Sequence, residues 1–476
     1  MHKLTFSFFL LLWVSSGEQS LLGESRWPQF RGANAQGVAE GRPPVEFGPA
    51  TNLLWQTALP AGHSSPCIWG NRVFLTAFDG QKLETICLQR RSGKILWRST
   101  APAEQIEKSH PTGSPAASTP ATDGRNVYVY FGSFGLLGYD FKGKEIWRKP
   151  LPMPVTGYGS GSSPVVVGKR LLLNFDQDGG SFLLAVDARS GKTLWKTDRP
   201  GFVRGFATPL VIEQGGNGEV VVAGNNRVIA YDLKDGSETW SARGLPGYDV
   251  CPTPVGGDGL VFVAGLGNPA MPGSITLPAF AEYSATYDKN KDGKITLDEM
   301  PSGPLKSNFG ILDSNRDGAV TADEWEAAAR NFARGENSLF AVRPGGHGDV
   351  TDSHVVWKQK RGVPRISSPL LYRGRIYVVK DGGILSCFNA KDGAPVWQEE
   401  RLGAEGDYYA SPVAANGKIY VASKRGIVAV VEAGETLNVI ARNNLGEEVM
   451  ATPAIVDDTL YVRTANHLYA FGHAKR

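Results

Sequence analysis

Two twelve-residue spans place oxygen-bearing side chains at the intervals a hard metal ion needs. The first offers Asp288, Asn290, Asp292, Lys294, Thr296 and Glu299, with Gly293 between the third and fourth of these. The second repeats the pattern as Asp313, Asn315, Asp317, Ala319, Thr321 and Glu324, with Gly318 in the glycine position. Calcium takes about six to eight oxygen ligands, and this spacing supplies them: side chains at loop positions one, three and five, and a backbone carbonyl at seven (Lys294, Ala319). A hydroxyl at nine acts directly or through water, and a carboxylate at twelve binds with both oxygens. The glycine at position six makes the sharp turn. Two calcium ions are therefore the expected cofactor.

Ile295 and Val320, each at position eight, are placed to pair as short strands that couple the loops. Residues 278–287 and 305–312 fit entering helices, and 325–334 an exiting one. Pro301, Gly303 and Pro304 cut the first exiting helix short, so a compact unit without a large opening motion is expected. On these residues the stretch 278–334 resembles the EF-hand family.

The rest of the chain must carry this unit, and it is repetitive. A glycine is followed four residues later by tryptophan at Gly93 and Trp97, Gly143 and Trp147, Gly191 and Trp195, Gly236 and Trp240, and Gly393 and Trp397. In the copy 182–195, an apolar run reaches Asp187, whose carboxylate suits turn amides. Gly191 supplies positive φ, and a second strand returns to Trp195. Ahead of such hairpins stands Ser-Pro or Thr-Pro: Ser65, Thr119, Ser163, Thr208, Thr253, Ser368, Ser411 and Thr452 each precede a proline. Proline lacks a donor and suits the first residue of a strand. With the alternating run between proline and hairpin, each repeat holds four strands.

The prolines from Pro120 to Pro254 lie 44, 45 and 45 residues apart, and those from Pro369 to Pro453 lie 43 and 41 apart. A period of about 40–45 residues with four strands describes a propeller blade. The run Asn52–Thr57 reads as a fourth strand lacking its first three, and the C-terminus offers three strands lacking a fourth. Joining them closes the ring at eight blades and removes two open edges. The fold class is thus all-β: an eight-bladed β-propeller whose N-terminal strand completes the last blade, with a small helical calcium unit inserted in blade five.

The insertion follows from spacing, since Pro254 and Pro369 are 115 residues apart. The expected organisation is a signal peptide over 1–17, an extended segment over 18–50, propeller over 51–264, the insertion over 265–337 and propeller over 338–476. Two copies depart from the phrase: Asn438 stands where the spacing predicts tryptophan, and Trp357 is reached without the usual turn.

Lys3 followed by the apolar run Phe6–Val14 and small residues to Gly17 has the form of a secretory signal, too short to span a bilayer. No cysteine stands near the cleavage region for a lipid anchor. The expected product is an exported, soluble, periplasmic or extracellular monomer. A net charge of +3 over 476 residues gives no electrostatic footprint for nucleic acid. Cys67, Cys87, Cys251 and Cys387 are read as free thiols. No nucleophile elbow or P-loop pattern occurs, and the glycine-rich run Gly159–Pro164 leads into a strand where phosphate cradling needs a helix.

The repeat phrase Ala185–Trp195 resembles that of quinoprotein-type (PQQ-like) propellers, over nearly all of 27–471. The resemblance implies a tryptophan that docks neighbouring blades. Its members include BamB-like scaffolds and quinone-dependent alcohol dehydrogenases. The dehydrogenases imply adjacent cysteines under the cofactor, which this chain lacks, and a calcium ion held in the propeller itself. The expected function is therefore an exported binding or scaffold protein for an envelope or secreted protein, peptide or glycan partner. A PQQ-dependent alcohol or sugar dehydrogenase is the alternative. Candidate residues on the ligand face, from segments leading into each first strand, are His63, Tyr158, Arg204, Asp249, Arg365, Asp407, Tyr408 and Glu448.

Overall fold

The computed structural model describes residues 25–214, 217–267, 277–307, 309–315 and 317–473. The expected signal segment lies outside them. Eight four-stranded antiparallel units follow one another around an axis: blade 1 (67–100), blade 2 (121–150), blade 3 (165–198), blade 4 (210–243), blade 5 (255–359), blade 6 (370–401), blade 7 (413–444) and blade 8. Blade 8 is built from both ends of the chain. Ala454–Val456, Thr459–Arg463 and His467–Phe471 supply three strands, and Leu53–Ala58 pairs with His467–Phe471 as the fourth.

Alternation along the strands buries one residue set against each neighbouring blade. Leu183, Ala185 and Trp195 of blade 3, for example, pack on Val220, Val222, Ile229 and Tyr231 of blade 4. A tryptophan closes six of the eight such contacts. Its indole N–H donates to a carbonyl in the third-to-fourth-strand turn of the next blade: Trp55 to Arg90, Trp97 to Phe141, Trp147 to Ala188, Trp195 to Leu233, Trp357 to Ala390 and Trp397 to Gly434. The turn glycine is the receiving surface. A Cβ at Gly191 would stand 2.7 Å from the Trp147 ring, and one at Gly93 2.5 Å from Trp55. Each glycine thus belongs to the tryptophan of the blade before, and its φ of +68° at Gly191 meets the turn's other demand.

Both departures from the phrase have a reason in this arrangement. Blade 5 has no short turn, because 343–354 make an excursion that lays Gly348–Asp349 parallel to Trp240–Ser241. Trp240 finds no carbonyl there and donates to the Glu219 carboxylate of its own blade. In blade 7 the register pairs Val430 with Ala441, the position other blades give to tryptophan. The expected site at Asn438 is therefore corrected to Ala441. Blade 8 offers no turn to dock on, since its fourth strand comes from the opposite end of the chain.

The segment before Leu53 crosses the end of the axis that carries the first-to-second-strand turns. Arg26–Trp27 pairs with Cys67–Trp69 of blade 1, and Val38–Ala39 runs parallel to Ala414–Ala415 of blade 7. The Gln36 amide reaches the Gly256 carbonyl of blade 5 at 3.4 Å. The central channel is floored by this segment. Cys67, Cys87 and Cys387 are buried free thiols, and Cys251 is partly exposed.

Candidate functional site

Two features meet on the opposite face. The first is the inserted unit, which leaves blade 5 after Gly265 and returns at Ser338. Helix Phe280–Tyr287, two short helical turns ending at Leu312, and helix Ala322–Arg334 surround a core that includes Tyr283, Ile295, Ile311, Val320, Trp325 and Phe332. Ile295 pairs with Val320, joining the loops back to back.

Within each loop the amides point inward onto the acidic side chains. Asp288 accepts from Lys291 at 2.7 Å and Gly293 at 2.9 Å, and Asp292 accepts from Lys294 at 2.9 Å. Asp313 accepts from Gly318 at 3.1 Å and Asp317 from Ala319 at 3.0 Å. Gly293 and Gly318 have φ of +79° and +88°. Glu299 and Glu324 accept from the amides of Thr296 and Thr321, at 2.8 and 3.0 Å. The Thr296 amide and hydroxyl hold the Glu299 carboxyl below its ordinary range.

Among the described residues no three His, Cys, Asp or Glu side chains are gathered as a ready metal site. The donor set nevertheless fits calcium: all hard oxygens, a turn glycine in each loop, and Asp313 Oδ1 buried without a hydrogen-bond partner. Loaded, Asp288, Asn290, Asp292, Thr296 and Glu299, with the Lys294 carbonyl, would hold one ion. Asp313, Asn315, Asp317, Thr321 and Glu324, with the Ala319 carbonyl, would hold the other.

The unit is seated on the propeller loops that precede blades 4 and 5. Tyr248 packs edge-on against Phe332 at 5.8 Å, Val203 packs on the same core, and the Glu336 amide donates to the Leu245 carbonyl at 2.9 Å.

The second feature is the channel mouth beside it, a cavity of about 230 Å³. Its inner ring is the hydroxyl residue of every Ser/Thr-Pro pair: Ser65, Thr119, Ser163, Thr208, Thr253, Ser368, Ser411 and Thr452. Each amide donates to the hydroxyl one blade on: Ser65 to Thr119, Thr119 to Ser163, and so around to Ser411 to Thr452, all at 2.9–3.1 Å. The chain of seven breaks between blades 8 and 1. There the fully buried guanidinium of Arg463 crosses the junction, donating to Ser64 Oγ at 2.6 Å, to the Thr76 carbonyl at 2.7 Å and to the Pro60 carbonyl at 3.3 Å.

The outer ring is the residue two before each hydroxyl: His63, Ala117, Gly161, Phe206, Cys251, Ile366, Tyr409 and Met450. Extended chain turns alternate side chains the same way, which sets this offset.

That parity sorts the expected ligand-face residues. His63, Tyr158, Asp249 and Arg365 line the mouth. Arg204 lies behind it, 3.0 Å from Asp249 and with its guanidinium 5.7 Å from the Tyr158 ring. Tyr408 is corrected: it is one position out of phase, its side chain is buried between blades 6 and 7, and its hydroxyl is taken by the Ala404 carbonyl. Tyr409 stands in the mouth in its place. Asp407 and Glu448 are not among the lining residues, and Glu448 faces Lys424 at 3.8 Å on the rim. Phe206, Tyr409, Met450 and the floor residue Phe30 were missed by composition-minded reading, although counting back two from each Ser/Thr-Pro finds the first three.

Burial shapes the ionisation here. It pushes the Asp249 carboxyl up to about 6 against the pull of Arg204, and it lowers His63 to about 4, so His63 is neutral at physiological pH.

The architecture is that of an eight-bladed propeller with an inserted pair of EF-hand-like loops. The chain matches the family model described as outer membrane protein assembly factor BamB over residues 48–172, 143–256 and 323–471, and it belongs to that family. An EF-hand model matches 285–300 and 305–328. Among solved structures, the chain is similar to BamB from Moraxella catarrhalis, with 14% identity, TM-score 0.54, and coverage of 89% of this chain and 99% of that one. It is also similar to the quinohemoprotein alcohol dehydrogenase of Comamonas testosteroni, with 12% identity, TM-score 0.56, and coverage of 95% and 81%. At these identities the likeness is one of fold. No curated protein matches the chain. No described helix is long and apolar enough to cross a membrane.

Proposed function

We propose that the chain is an exported scaffold that holds a protein, peptide or glycan partner over the channel mouth, with two calcium ions bracing the inserted unit at its rim. One observation carries this reading: Tyr248, buried in the core of the calcium unit, is the residue next to Asp249, which lines the mouth. Calcium would stiffen that core and through it the binding rim.

A quinone-dependent dehydrogenase is the competing reading, and the mouth's residues do not fit its cofactor. Cys251 is the single cysteine lining the mouth, and no second cysteine adjoins it. The lining carboxylate and guanidinium, Asp249 and Arg365, are already paired inside the protein.

Calcium titration followed by thermal unfolding tests the metal. The wild type is expected to melt higher with calcium, and Glu299→Gln with Glu324→Gln is expected to abolish the shift while the propeller stays folded. Unchanged calcium binding in that double variant refutes the ligand assignment. For the partner, a pull-down from native envelope extract should retain a specific species that chelator releases. Turnover of alcohols with added quinone cofactor would instead establish the dehydrogenase.

A further inference from the structure

The mouth has a chemical character narrower than "binding face". Each of its charges is matched from behind. Asp249 faces Arg204 at 3.0 Å, and Arg365 faces Asp381 at 2.9 Å. An anionic or cationic ligand would therefore compete with an internal ion pair for whichever residue it met, and neutral ligands escape that cost.

The cavity is otherwise rich in neutral hydrogen-bonding groups. The eight ring hydroxyls accept at most one amide each, and among the described residues none donates its proton to a protein acceptor. Asp249 Oδ2 likewise has no protein donor among the described residues, its pairing with Arg204 being through Oδ1. Donors and acceptors thus stand together above an apolar side wall. Tyr158 is fixed there between His110 at 5.0 Å and Phe206 at 6.2 Å, the latter edge-on.

The ring is also lopsided. Phe206, Ile366, Tyr409 and Met450 fill one side, whereas the small Ala117 leaves a recess on the side of the loop between blades 1 and 2. Phe206 leans so far over Gly161 that a Cβ there would meet it at 2.9 Å. At about 230 Å³ the space is below the range of about 300–1,000 Å³ that encloses a drug-sized molecule. It suits one ring.

We propose that this recess binds a neutral, hydroxyl-rich ring: a single sugar residue, free or at the end of a glycan, with an apolar face on Tyr158 and hydroxyls shared between Asp249 and the serine and threonine crown. The proposal rests on the mouth being a binding site. Apolar ring faces favour aromatic platforms, and buried polar groups left unpaired reward a ligand that supplies both donors and acceptors.

The test uses the full chain with calcium present. Glucose, galactose, N-acetylglucosamine, cellotetraose and chitotetraose would be titrated by calorimetry and by saturation-transfer NMR, with citrate and choline as charged comparators. At least one saccharide is expected to bind saturably in the millimolar range or tighter. Tighter binding of the tetrasaccharide than of its monomer would mark a chain end, and equal binding a free ring.

Asp249→Asn and Tyr158→Ala should each weaken binding by about tenfold or more, with Leu194→Ser on the exposed outer strand as the unaffected control. If Tyr158→Ala fails to fold, Tyr158→Leu serves, since it keeps bulk without an aromatic face and should weaken binding likewise. Affinity should also fall as pH drops through about 6, where Asp249 takes up a proton. The groups facing that carboxylate are Arg204, Asp178, Arg365, Tyr158 and Cys251.

No saturable signal from any saccharide, binding of citrate or choline instead, or saccharide binding indifferent to both variants would overturn the proposal. A pull-down that still retains a calcium-dependent partner in that case would leave the scaffold reading standing and sink only the sugar.

Discussion

A glycine in this protein answers to two different demands, and substitution separates them. Gly191 has positive φ and also receives the Trp147 ring at 2.7 Å, whereas Gly259 has φ of +75° with nothing within 4 Å of a Cβ. Gly259→Ala should cost about 1 kcal/mol from backbone strain alone. Gly191→Ala adds a collision with a packed indole and should cost on the order of 3 kcal/mol in denaturant unfolding. Equal losses at the two sites would show that the tryptophan yields. The five-fold glycine-tryptophan offset was plain in the sequence, but its meaning was not, because each glycine serves a ring 36 to 46 residues upstream and not the one four residues ahead. Tyr408 and Tyr409 show the other limit. Side chains alternate along extended chain, so one residue of phase separates core from cavity, and two adjacent tyrosines carry no mark of which is which.

Among the elements, the long loop between blades 1 and 2 carries a buried acid that ties it to its neighbour. Glu107 accepts from the Ser160 amide at 2.9 Å and its hydroxyl at 2.7 Å, tying that loop to the one before blade 3, and both loops wall the mouth. Burial raises its carboxyl from 4.5 to about 7, and the Ser160 bonds only partly oppose this. An acid whose folded value exceeds its unfolded one binds its proton more tightly when folded. The protein should therefore gain stability as pH falls from about 7 toward 4.5 and lose it as pH rises through that window. Glu107→Gln should flatten this portion of the pH profile and raise stability at pH above 7 by on the order of 2 kcal/mol, measured by chemical denaturation. A profile unchanged by the substitution would deny the latch its charge. The sequence disclosed that something had been inserted in blade 5, through spacing alone, and what kind of unit it was, through ligand intervals. It gave no sign of where the unit would rest. That depends on Tyr248 and Val203, apolar residues in loops whose contacts are long-range.

For the whole molecule, ring closure concentrates at one junction. Seven amide-to-hydroxyl steps bind the inner ring, and the eighth is replaced by Arg463, whose guanidinium burial draws down to about 9 and which has only neutral oxygen acceptors. Arg463→Met would remove the donors shared by Ser64, Thr76 and Pro60 across the junction and leave Ser64 Oγ and the Thr76 backbone bonded to each other. It should lower stability by about 2–4 kcal/mol and raise hydrogen exchange first in blades 8 and 1. Uniform loss of protection around the ring would contradict a weak seam. The blade count was legible because repeats are local and the two chain ends each held an incomplete unit. The floor under the channel was not, since Gln36 and Val38–Ala39 take their positions from blades 5 and 7, far along the chain. The pairing of Leu53–Ala58 with His467–Phe471 also reaches into biogenesis. A ribosome makes the earlier strand long before its partner, so that strand waits with an open edge while seven blades assemble, and the molecule acquires its final shape only with nearly its last residues. Any nascent or prematurely terminated chain is therefore sticky by construction, and whatever escorts it through the cell must guard its beginning until its end arrives.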